Sequence, residues 1–197
     1  MTEARTLYPD FDLMTQSDNW DPHTREIVER RFGPFAAPKV LAPAEAAMLR
    51  AIAQHLIYEN REELIDYIIF HIDQQLQSAI GENQRKPEVP PAKDLICWGL
   101  TAIDNCAQKR HQKKFLQLST EEQFVFLTDL QKGTADPIPD WLEVPQKALF
   151  KKLANEIVSA YYAHPTVWSE IGYGGPAYPR GYVRVELGLT DPWEAKE

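Results

Sequence analysis

Three places in this chain hold side chains that could do chemistry. His164, with Tyr161 three residues before it and Glu170 six after, is the cluster in which an imidazole could serve as a general base. Arg180, set between Pro179 and Gly181, could grip a carboxylate with two parallel hydrogen bonds, inside the fold or on another protein. Gly172-Tyr173-Gly174-Gly175-Pro176 has the glycine content of a phosphate cradle. It lacks a strand-to-helix setting, and Pro176 removes an amide donor, so a turn holding Tyr173 and Tyr178 apart is the simpler reading. For His164, a capping or interface role is likewise simpler than catalysis.

The remaining candidates reduce to structure. His55 and His71 lie beside apolar stripes without further ligands at metal spacing. Cys97 and Cys106 stand nine residues apart on one expected helix, roughly 13 Å along its axis, too far for a disulfide and without zinc or redox spacing. Free, buried thiols are expected. Glu62-Glu63 and Glu121-Glu122 sit at helix starts, where the dipole favours them. Dinucleotide, P-loop, His-x3-His and nucleophile-elbow motifs are all missing from the sequence. No catalytic, cofactor-binding or metal-ligating residue is therefore assigned.

What stands out instead is composition. Between Tyr161 and Trp193, five glycines and four prolines are interleaved with seven aromatic residues, both ends counted. Such a stretch admits neither a long helix nor a central strand. Its aromatic content is wrong for a disordered linker. Such a segment can be ordered by its own core or by a partner that buries the rings; because Tyr, Trp and Arg often dominate interface energies, the partner reading is preferred and the segment is read as a docking surface. The expected partner-facing residues are Tyr161, Tyr162, His164, Pro165, Trp168, Tyr173, Gly174, Gly175, Pro176, Tyr178, Pro179, Arg180, Gly181, Tyr182 and Trp193.

This segment resembles the C-terminal signature of the gluconate 2-dehydrogenase subunit 3 family. Weaker likeness extends to Trp20-Asp21 with Thr24 and Val28, and to Gly99-Leu100, Ile103-Asp104, Phe115, Leu118 and Gln123. The resemblance implies a non-catalytic small subunit that binds and stabilises a flavin-dependent dehydrogenase of the glucose-methanol-choline type. FAD would sit in that large subunit, which would oxidise a sugar or polyol hydroxyl, and a cytochrome accompanies some relatives. Two other readings stay open: an autonomous helical enzyme or carbohydrate-binding protein, and a transient assembly chaperone of the dehydrogenase.

The elements that would carry this segment are helical. The expected fold is all-α, an irregular bundle of about six helices in one domain: an extended arm over 1–20, a helical body over 21–163 and a docking tail over 164–197. Asp21-Pro22 starts a helix that Gly33-Pro34 ends. Leu49, Ile52, Ala53, Leu56 and Ile57 form a helical stripe from Pro43. A second stripe, from Leu64 through Ile72 and Leu76 to Ile80, stops at Gly81. After a polar loop over 82–91, the next helix carries Leu95, Trp98, Ala102, Ile103 and Cys106, and Gly99 in its middle suggests a close helix crossing. Ser119 and Glu122 have capping-box spacing, with Phe124, Leu127 and Leu130 behind them. A last long helix carries Leu149, Leu153, Ile157, Val158, Ala160 and Tyr161, and His164-Pro165 ends it with room for one further turn. Residues 181–188 alternate like a short strand without a partner in the chain, either staying extended on the surface or pairing with another protein's edge.

With 197 residues, 44% hydrophobic, the chain can bury a substantial core. A net charge of −8 argues against nucleic acid or anionic membrane as partner. Apolar runs fall short of a membrane span. Neither a signal peptide nor a hydrophobic stretch behind Arg30-Arg31 is seen, so a cytoplasmic location is expected, or a periplasmic one if a partner's signal carries the chain.

Overall fold

The computed structural model describes residues 6–78, 86–184, 186 and 188–196. The chain divides into two compact units, Phe35–Ala160 and a second made of Met1–Pro34 with Tyr161–Glu197. The fold is all-α, with seven α-helices and no strand among the described residues.

In the 35–160 unit, α2 (Pro43–Ile57) packs on α3 (Glu62–Leu76) and on α4 (Ala92–His111). Leu49, Ile52, Leu64, Ile65, Ile68 and Ile72 are fully buried, as their helical spacing requires. The end expected for α3 at Ile80 and Gly81 lies outside the described residues; the helix as described closes at Leu76.

Two buried carboxylates organise the connections. Asp73 of α3 reaches back to the connector before α2, where its oxygens accept the amides of Lys39, Val40 and Leu41 at 2.8–2.9 Å. Gln77 donates to the same carboxylate at 3.0 Å. Glu59, in the turn between α2 and α3, accepts from the amides of Asn60 and Arg61 and from the Arg61 guanidinium. Both acids are 1% exposed. The same turn places Tyr58 at φ 52°, an uncommon conformation for an aromatic residue, with its ring 72% exposed.

Gly99 explains itself in the middle of α4. A Cβ there would lie 2.3 Å from Cδ1 of Leu149, a fully buried residue of α6 (Gln146–Tyr161), so the glycine lets that side chain rest on the α4 backbone. Gly99→Val should destabilise the protein by about 2 kcal/mol through overpacking, measured by urea unfolding. Wild-type stability would mean that Leu149 finds another rotamer. Trp98 beside it does not join the α4 stripe, being 46% exposed.

The capping box of α5 (Thr120–Lys132) forms as spaced, with Ser119 and Glu122 bonded reciprocally. The buried face differs from expectation at one position. Phe126, not Phe124, turns inward and meets Phe115 edge-on at 5.7 Å, leaving Phe124 50% exposed. Val158 of α6 is also turned out. The basic end of α4 is solvated and ion-paired, Arg110 holding Asp129 at 2.7 Å. Both thiols are free; burial pushes each above the ordinary thiol pKa, so neither is primed as a nucleophile.

Candidate functional site

The segment from Tyr161 to Trp193 builds its own core with the N-terminal residues. Of the arm expected over 1–20, the described residues 6–20 are not uniformly extended: Asp12 caps a 3-10 stretch over Leu13–Asn19, ahead of α1 (Pro22–Glu29), whose cap is Asp21. Leu13, Trp20 and Val28 close around Trp168 of α7 (Pro165–Glu170), with Phe11, Met14 and Tyr173 packed against them. The Leu13 amide donates to Ser169 Oγ and Thr6 Oγ1 to the Glu170 carbonyl. The short helix that His164-Pro165 permits thus becomes a core element.

His164 is 1% exposed, meets Phe32 edge-on, and caps α7 by accepting the Thr166 amide on Nδ1. That is the capping role favoured for it. Arg31 donates to the Ala163 carbonyl at 2.6 Å and lies 5.0 Å over the Trp168 ring. The Arg30-Arg31 pair therefore includes a structural cation, which no spacing rule singles out.

The glycine run threads between aromatic rings. At Gly174 a Cβ would meet Trp193 Cδ1 at 2.5 Å; at Gly175, where φ is +79°, it would meet Leu13 and Trp20 at 2.8 Å. Gly175→Ala combines a left-handed backbone with this crowding and should cost about 2 kcal/mol, with near-UV circular dichroism reporting the displaced tryptophan. An unchanged spectrum and stability would disprove that packing.

Arg180 takes carbonyls where a carboxylate grip was expected. It donates to the carbonyls of Gly174 at 2.6 Å and Pro176 at 3.0 Å, and lies 4.5 Å over the Trp193 ring. Burial pushes its pKa below the usual arginine value, with Tyr173 and Asp191 opposing. Asp191, fully buried, accepts the amides of Val183 and Arg184 at 2.8 Å each, while its own amide donates to Glu194. The expected strand over 181–188 is absent among the described residues, and Val185 and Leu187 lie outside them.

The partner-facing set therefore splits. His164, Pro165, Trp168, Gly174 and Gly175 are buried in this unit's own interior, and Tyr161, Tyr173, Pro176, Arg180 and Trp193 are half-buried. Tyr162, Tyr178, Pro179, Gly181 and Tyr182 face outward, with Tyr162 52%, Tyr178 69% and Tyr182 64% exposed. Sequence reasoning missed Leu189 and Val183, which add apolar surface at 48% and 53% exposure. It also missed the exposed Tyr58, Leu142 and Phe124 of the 35–160 unit. No group of three or more His, Cys, Asp or Glu among the described residues is placed to hold a metal, and no helix among them is long and apolar enough to cross a membrane.

The profile described as Gluconate 2-dehydrogenase subunit 3 matches residues 43–175, about two thirds of the chain. It takes in the helical body and the tail as far as Gly175. Trp20-Asp21 and the residues from Pro176 onward fall outside the matched range. No curated protein and no solved structure matches.

Proposed function

Because the chain belongs to the gluconate 2-dehydrogenase subunit 3 family, we propose that it is a non-catalytic small subunit that binds and stabilises a flavin-dependent dehydrogenase large subunit of the glucose-methanol-choline type. FAD and the oxidation of a sugar or polyol hydroxyl belong to that partner, and a cytochrome could take the electrons from it. The observation that carries this reading is the exposure of three tyrosines, Tyr162, Tyr178 and Tyr182, on a segment whose Trp168 and Tyr173 already join an internal core. Rings exposed on an otherwise self-sufficient fold have the composition of an interface hot spot.

The test is recovery of the chain, tagged at its N-terminus, from its native host. A flavoprotein in stoichiometric amount, with flavin absorbance in the eluate, is the expected result. A colourless, folded monomer that binds saccharides by itself would favour an autonomous binding protein. Absence of the chain from mature, active dehydrogenase would favour an assembly chaperone.

A further inference from the structure

The stretch from Tyr178 to Arg184 presents its side chains outward, Arg180 excepted, while its backbone is held from within. Arg180 clamps the carbonyls of Gly174 and Pro176, and the Gly181 amide donates to the Ala177 carbonyl at 2.6 Å. Asp191 takes the amides of Val183 and Arg184. A strand drawn through this stretch would offer the amides of 181 and 183 on one edge and those of 182 and 184 on the other. Both edges have lost amides to bonds inside the chain, and Pro179 has none to offer. The backbone is thus unsuited to strand addition.

The side chains are well suited to insertion. Tyr178 and Tyr182 are about two-thirds exposed, Val183 is half exposed, and Arg184 lies 5.9 Å from the Tyr182 ring centroid. Tyr and Arg are the common hot-spot types, and an arm already fixed by internal bonds loses little freedom on binding. Arg184 is also an exposed cation on a chain of net charge −8, so it sets which way an acidic-rimmed site must meet the arm.

Resting on the subunit reading above, we infer that residues 178–184 form a preformed plug whose Tyr178, Tyr182 and Arg184 side chains enter an apolar, carboxylate-rimmed pocket of the flavoprotein large subunit. Recognition is by side chains, and Asp191 positions the plug without touching the partner.

The experiment measures the affinity of the purified chain for the flavoprotein that co-purifies with it, by calorimetry. The Tyr178→Ala/Tyr182→Ala double variant should lose at least 100-fold in affinity, and Arg184→Glu at least 10-fold, with unfolding midpoints unchanged because these residues are exposed. Asp191→Ala should weaken binding about 10-fold, and Asp191→Asn, which still accepts both amides, should restore most of it. Tight binding by wild type with no loss in the double variant overturns the plug and leaves the subunit reading standing. Failure of wild type to bind any flavoprotein overturns both, and a tyrosine-dependent dimer of the isolated chain overturns the plug in favour of self-association.

Discussion

Asp73→Ala is expected to lower the unfolding free energy by about 4 kcal/mol, the largest loss from any single side chain considered. One carboxylate, 1% exposed, satisfies three consecutive amides at Lys39, Val40 and Leu41. Bonds to a charged acceptor each contribute about 1.5–3 kcal/mol, and truncation leaves the Leu41 amide buried without an acceptor. The outer two amides regain water, so the sum falls short of three full bonds. Asp73→Asn, which keeps one acceptor oxygen, should lose about half as much. Urea unfolding of the purified chain decides the matter: a loss below about 1 kcal/mol would show that solvent replaces the carboxylate.

Acid should have an effect of similar size through Glu59. Burial alone would raise its pKa, but the Arg61 guanidinium and the amides of Asn60 and Arg61 outweigh it and bring the value from 4.5 down to about 2. A carboxylate depressed in the folded state binds protons more tightly when unfolded. Its contribution is therefore complete above pH 4.5 and lost as the pH falls toward 2, about 3 kcal/mol in all. Asp73 acts in the same direction: burial opposes, but its backbone bonds prevail and hold its pKa below the ordinary value. Urea midpoints followed from pH 6 to 2 should drop steeply below pH 4.5. In Glu59→Gln the pH 6 stability should be lower and the slope shallower; an identical slope would remove Glu59 as the cause.

Asp73 is not visible in the sequence as a structural residue, and the reason is distance along the chain. Asp73 and Leu41 are 32 positions apart, and no local pattern links a mid-helix aspartate to a proline-rich connector. What periodicity encodes directly was legible: the stripes of α2 and α3, the Ser119 and Glu122 box, and the close approach at Gly99. Phe124 and Phe126 show the limit, since both extend the apolar face of α5 and only the position of Phe115 selects between them. The tail shows another. Its composition marks it as aromatic and ordered, but which rings turn inward depends on Leu13, Trp20 and Val28, more than 130 residues away. Arg180 was legible as a hydrogen-bonding anchor, whereas its acceptors were not, because backbone carbonyls leave no mark in a sequence.

The unit that carries the tyrosines is discontinuous. Residues 6–34 leave the ribosome early, yet Leu13 and Trp20 meet Trp168 only after the whole 35–160 stretch has been made. At typical synthesis rates of about 5–20 residues per second, the N-terminal segment waits about 7–30 seconds with its apolar side chains uncovered. The unit that carries the tyrosines is consequently the last part of the protein to be completed, and a polypeptide stalled before Tyr161 lacks the residues that close around Leu13 and Trp20. On the subunit reading, translation order would withhold assembly from unfinished chains.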